Sequence, residues 1–155
     1  MMIMTPLDDF LVIAKKNTYA NPDITPILLS NGKKRYTFSD GAFSYTDTYH
    51  VNNNSFRGIE TVTENSIIRW KMEYTGGVVC EVIPQEQIYA FLKEVLQKVT
   101  PDMPFRGPER VKKGLLRYHN IVTHRDAHTF RGEETISTGN ILIYALAYYG
   151  ELLEG

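Results

Sequence analysis

Cysteine, net charge and long apolar runs are all scarce in this 155-residue chain, and each shortage removes a class of protein. The single cysteine, Cys80, excludes an internal disulfide and any multi-thiolate metal site. Seventeen Lys and Arg stand against eighteen Asp and Glu, so the net charge is -1 and no global field draws the chain to nucleic acid or anionic lipid. The early apolar run Phe10 to Ala14 is too short to span a bilayer, and Asp8, Asp9, Lys15 and Lys16 flank it where a signal peptide would carry a basic and then a small-residue pattern. The expectation is a cytoplasmic protein without membrane association. No Gly-x-Ser-x-Gly, phosphate-binding loop or dinucleotide fingerprint is present, which leaves carboxylate chemistry as the open enzymatic route. No cofactor is called for.

What the chain does contain is self-similarity. Ser55 to Val79 aligns without a gap on Thr129 to Leu153 at an offset of 74, with identities at Phe56/Phe130, Arg57/Arg131, Gly58/Gly132, Glu60/Glu134, Thr61/Thr135, Ile67/Ile141, Tyr74/Tyr148 and Gly76/Gly150. Upstream the offset becomes 73, pairing Tyr45 with Tyr118 and Asp47 with Asn120. Helical signals also occur twice. Thr5-Pro6-Leu7-Asp8 combines an N-cap, a proline at the first helical position and an acidic first turn, with Lys15 and Lys16 at the far end. Pro84 opens a second stretch with Ile88, Phe91, Leu92, Val95 and Val99 at helical spacing.

Alternating runs predict strands over 34–39, 42–50, 56–63 and 66–75, and again over 109–112, 115–123, 130–137 and 140–149, with Asp40-Gly41, Glu64-Asn65 and Thr138-Gly139 as hairpin turns. These patterns predict an α+β fold of tandem duplicated α-β-β-β-β units, about 5–77 and 84–153 of a single domain 1–155. The units are expected to be related by pseudo-two-fold symmetry, with antiparallel sheets and a helix packed on each. The seam between them is then the natural cleft.

Strand parity places Phe56, Gly58, Glu60 and Val62 on one face, and Phe130, Gly132, Glu134 and Ile136 on one face of the copy. The next strand presents Trp70, Met72 and Tyr74, matched by Tyr144, Leu146 and Tyr148. A carboxylate amid apolar neighbours must be paired or protonated, so Glu60 and Glu134 carry two readings. One is an acidic floor under aromatic walls, suited to an organic cation or polar small molecule. The other is architectural: hydrogen bonds to tyrosines, arginines or strand-end amides. Positions where the halves differ are the sharper functional clues: Trp70 against Tyr144, Asp47 against Asn120, and Arg106 in Phe105-Arg106-Gly107-Pro108, which has no counterpart after the first helix. Arg106 could clamp an anion, or it could tie its loop to a nearby carboxylate. His119, His124 and His128 fit no ordinary zinc spacing, and no metal is expected.

Several runs together resemble a known family: Phe10-Leu11 with Lys15-Lys16-Asn17-Thr18-Tyr19-Ala20, Tyr45-x-Asp47-x-Tyr49, Phe56-x-Gly58-x-Glu60, Trp70-x-Met72-x-Tyr74-x-Gly76, Phe91-Leu92-Lys93-Glu94-x-Leu96, Pro104-Phe105-Arg106-Gly107-Pro108 and Phe130-x-Gly132-x-Glu134. The family is an uncharacterised bacterial domain that often follows an XRE-type helix-turn-helix in transcriptional regulators and also occurs alone. The resemblance implies a cytoplasmic bacterial module, a sensor in its regulator form, with no established activity to carry over. The DNA-binding helices are lacking here, so direct nucleic-acid binding is not expected. The resulting expectation is a sensor-like module that binds a small molecule through Glu60, Trp70, Tyr74, Arg106, His119, Glu134 and Tyr148. The alternatives are a small enzyme with a glutamate as general acid or base, and a protein-interaction subunit using a sheet edge. Homodimerisation is left open.

Overall fold

The computed structural model of the chain describes residues 5–153. Helix α1 (Pro6–Lys16) starts on a capping box: the Asp8 N–H donates to the Thr5 hydroxyl, and the Thr5 N–H donates back to the Asp8 carboxylate. Helix α2 (Gln85–Leu96) follows Pro84 and has no side-chain cap. The remaining elements are strands β1 (Ile27–Leu28), β2 (Lys34–Asp40), β3 (Phe43–Asn52), β4 (Ser55–Glu64), β5 (Ile67–Val78), β6 (Arg110–Lys113), β7 (Leu116–Arg125), β8 (Thr129–Thr138) and β9 (Ile141–Leu152). Gly41 and Gly139 sit in two of the hairpin turns at φ of 60° and 58°, a backbone region that side chains with a Cβ avoid.

All nine strands join one antiparallel sheet in the order β1-β2-β3-β4-β5-β9-β8-β7-β6. This corrects the expected α+β class of two duplicated, pseudo-two-fold α-β-β-β-β units with helices packed on their sheets. The fold is mainly β, with two short helices of 11 and 12 residues. The physical reason lies in the long strands β5 and β9, which pair from Trp70↔Leu152 to Val78↔Tyr144 and so satisfy backbone groups that two separate sheets would leave on exposed edges. Gly76 and Gly150 lie on this seam, where a Cβ would collide with the backbone of β9 and of β5 respectively. The halves also differ: β1 has no counterpart beyond β6, and β6 has four residues where β2 has seven.

Burial alternates along the strands as parity requires. Tyr45 and Asp47 of β3, Glu60 and Val62 of β4, Trp70, Met72 and Tyr74 of β5, Tyr148 of β9, Glu134 of β8 and Asn120 of β7 are buried, whereas Ile59, Ile121 and Tyr149 are exposed on the opposite face. Register sets Met72 beside Glu60 and Tyr74 beside Gly58, so the Trp70, Met72 and Tyr74 side chains do share the face of Glu60. Phe10, Leu11 and Ala14 from α1 and Ile88, Phe91, Leu92 and Val95 from α2 enter one core cluster with these strand residues. Each large apolar side chain so buried contributes about 1.5–3 kcal/mol. Trp70 stacks on Phe130 with centroids 5.7 Å apart, and Phe130 stacks on Phe105 at 4.0 Å, which locks the seam into that core.

Candidate functional site

The buried face of the sheet carries two layers of polar side chains. In the first, Glu60 receives the Lys15 ammonium at 2.9 Å and the Tyr45 hydroxyl at 2.5 Å. Lys15 reaches it from the last turn of α1, also donating to the Phe105 carbonyl and lying 5.1 Å from the Trp70 ring centre. Burial pulls the Lys15 ammonium below its ordinary pKa, and Glu60 opposes that pull. Glu134, which is fully buried, accepts Arg106 Nε at 3.0 Å and Nη2 at 2.8 Å, together with the hydroxyls of Tyr118 and Tyr144. Burial, and next the charge of Glu134, hold both of those tyrosines neutral, far above the ordinary phenol pKa. Each glutamate therefore has its own cation.

In the second layer Asp47 stands across β3–β4 from Glu60, and Asn120 stands across β7–β8 from Glu134. Tyr74 donates to Asp47 Oδ1 at 2.6 Å, and Tyr148 donates to Asn120 Oδ1 at 2.7 Å. Gly58 and Gly132 make both contacts feasible, because a Cβ at either would occupy the space of the tyrosine hydroxyl. There the likeness stops. Asn120 spends its amide N–H on the Gly107 carbonyl at 2.8 Å, so the segment between α2 and β6 closes that end. The segment after α1, with Thr18, Tyr19 and Ala20, lies over Asp47, yet among the described residues it sends no hydrogen-bond donor to that carboxyl. Its Oδ2 has no hydrogen-bond partner among the described residues, and no side-chain polar atom among them is both wholly enclosed and unpartnered.

Asp47 instead lines a cavity of about 280 Å³ walled by Tyr19, Tyr49, Phe56, Tyr74 and Tyr89, with Arg106 at its side and Lys34 and Gln85 also in the lining. The Phe56 ring lies edge-on to Tyr74 and Tyr89, with centroids 5.9 and 6.1 Å away. A void of about 20 Å³, room for one water, is lined by the Lys15–Glu60 pair, Asp47 and Arg106. Asp47 is 4% exposed, and desolvation, reinforced by the nearby Glu60 charge, pushes its carboxyl pKa up to about 7 against the pull of Tyr74, Arg106 and Lys15. A carboxyl in this state can hold a cation, or exchange a proton near neutral pH.

Of the residues singled out from sequence, Tyr74 and Arg106 line this cavity. Glu60 and Glu134 lie outside its lining, in their ion pairs, so the carboxylate at the cavity is Asp47. Trp70 is a core residue and Tyr148 belongs to the Asn120 contact. His119 alternates with the buried Tyr118 and Asn120 and so points to the other face of the sheet. Arg106 ties its loop to a carboxylate, the second of its two expected roles, although Nη1 makes no hydrogen bond among the described residues. His124 contacts Asp126, whose carboxyl is held well below the usual range by the backbone N–H groups of His128 and Thr129. Among the described residues no group of His, Cys, Asp and Glu is arranged to hold a metal ion.

Asp47 was visible in the sequence as an asymmetry with Asn120. Tyr49 follows it at strand spacing and was detectable by parity. Tyr19 arrives from the segment after α1, Phe56 from β4 and Tyr89 from α2, and no local signal marks them as neighbours. Residues 47–153 match a family described as a domain of unknown function (DUF5680). The chain belongs to this family. No curated protein and no solved structure matches it. The matched segment begins at Asp47 and holds most of the cavity lining, whereas Tyr19 and Lys34 precede it.

Proposed function

We propose that this chain is a sensor-like module that binds a small molecule in the cavity beside Asp47. The observation that carries the reading is the cavity itself: aromatic walls around a buried carboxyl with one oxygen that no described residue hydrogen-bonds. The proposal takes in a cytoplasmic bacterial setting and kinship with domains that follow an XRE-type helix-turn-helix, both supported by the resemblance of the sequence runs quoted above. A glutamate-based enzyme has less support, because Glu60 and Glu134 are each occupied by a buried cation and by tyrosine hydroxyls. A thermal-shift screen of small metabolites tests the reading. A ligand at 100 times its Kd stabilises the folded state by about 2.7 kcal/mol, a shift of several degrees for a chain of this length. Phe56→Ala is expected to abolish that shift while the variant still folds. Stabilisation by every hit that persists in Phe56→Ala, or a screen without hits, would overturn the reading.

A further inference from the structure

Building on that reading, we infer that the cavity takes a small monocationic amine, its ammonium donating to Asp47 Oδ2 and its apolar body held by the ring walls. Three observations converge on this class.

The first is charge. The buried face holds Lys15 and Arg106 against Asp47, Glu60 and Glu134. Lys15 is matched to Glu60 and Arg106 to Glu134, so among the described residues of this face Asp47 is the carboxyl without a cation of its own. An uncompensated carboxylate in a low-dielectric site is unfavourable, so Asp47 keeps its proton until near neutral pH, and a ligand of charge +1 compensates the carboxylate once it ionises. A zwitterion or an anion does not. Arg106 offers an anion only Nη1, since its Nε and Nη2 are closed on Glu134, and its charge is already matched by that carboxylate.

The second is the comparison with Asn120. That side chain is an amide whose N–H meets a protein carbonyl, so its end of the sheet is complete. Asp47 occupies the corresponding register with the opposite need, an acceptor awaiting a donor for Oδ2, and none of the described residues supplies one. The missing group is therefore a donor.

The third is the wall. Tyr19, Tyr49, Phe56, Tyr74 and Tyr89 present π faces and edges around the carboxyl, surroundings that favour an ammonium and its hydrocarbon body. Lys34, the competing cation of the lining, is exposed at the rim, where water screens it. The volume of about 280 Å³ lies at the small end of ligand pockets, which suits a single ring or a short alkyl chain.

The experiment uses the full chain and four probes of one shape: phenethylamine, phenethyl alcohol, hydrocinnamate and phenylalanine. Binding is followed by NMR of the tyrosine rings and by calorimetry, slightly above neutral pH. Phenethylamine is expected to bind at least about tenfold more tightly than each of the others, the worth of a charge-assisted hydrogen bond. Asp47→Asn should erase that preference and leave the alcohol's affinity within about twofold. This variant retains an acceptor for Tyr74, as Asn120 does for Tyr148, so the contact that holds the layer survives. Tyr74→Phe, which keeps the carboxylate, should retain the preference for the amine. If the alcohol, the carboxylate or the zwitterion binds as tightly as the amine, the ligand class is refuted while the cavity remains a binding site. Should none of the four perturb the wall residues, the binding reading falls with it.

Discussion

Asp47 owes its character to being buried beside Glu60 on β4 and Tyr74 on β5, with Lys15 of α1 and Arg106 of the α2–β6 segment near but engaged elsewhere. The folded protein holds the Asp47 proton up to about pH 7, while the unfolded chain releases it near the ordinary value of 3.8. Between those limits the folded state carries more protons, so this residue's contribution to stability is complete at low pH and is lost as pH rises towards neutrality. Asp47→Asn removes the titration. Urea unfolding is expected to show the variant gaining on the parent from about pH 4 to pH 8, by up to about 4 kcal/mol. A difference that stays flat with pH would show that Asp47 does not titrate in this window. Gly58 offers a second test at this scale. Gly58→Ala sets a methyl group where the Tyr74 hydroxyl lies, and should cost about 1–3 kcal/mol and abolish ligand-induced stabilisation. Gly132→Ala displaces Tyr148 in the same way on the other side of the sheet, so it should cost a similar amount and spare ligand binding. Equal losses of binding in both variants would detach the cavity from Tyr74.

The segment between α2 and β6 acts as an element although it has no regular structure. Arg106 grips Glu134, the Phe105 carbonyl accepts Lys15, the Gly107 N–H donates to Tyr118 and the Gly107 carbonyl accepts Asn120. These bonds hold α1, β7 and β8 to one strap across the core. Removing one partner of a buried ion pair leaves the other charge stranded, at a cost of about 3–5 kcal/mol. Arg106→Met should therefore lower the urea midpoint sharply, and hydrogen exchange should quicken at Gly107 and Asn120. Replacement of both partners, Arg106→Met with Glu134→Leu, should recover part of the loss, because the charge and its need disappear together. A double variant less stable than the sum of the single losses would contradict this account of the strap.

At the scale of the whole molecule the decisive contact is β5 against β9. It merges what lies before α2 with what lies after it into one sheet over one core, and Trp70 on β5 stacks against Phe130 on β8 across it. Unfolding is expected to be a single transition, with Trp70 fluorescence and far-UV circular dichroism tracing the same curve against urea. Two separated transitions would mean that the halves fold independently. Gly150→Val, which forces a side chain onto the Lys71 carbonyl and the Phe130 ring, should weaken that whole transition and leave no folded half behind.

Strand and helix positions follow from interactions within a few residues: alternation, turn glycines and the Thr5–Asp8 cap. They were legible, and the structure extends most of the predicted strands by one to three residues at their ends. Parity likewise brought Glu60, Trp70 and Tyr74 to one face without knowledge of any partner strand. The two-residue β1 carries too little pattern to be seen. How the sheet closes was not legible as a fold class, because edge pairing between β5 and β9 is settled by strands about 70 residues apart competing for the same backbone partners. The site divides along the same line. Sequence determined that buried carboxyls must exist and that Asp47 and Asn120 differ. Tertiary structure alone decided which carboxyls receive Lys15 and Arg106, and left Asp47 facing open space, because a cavity is defined by what distant segments fail to fill.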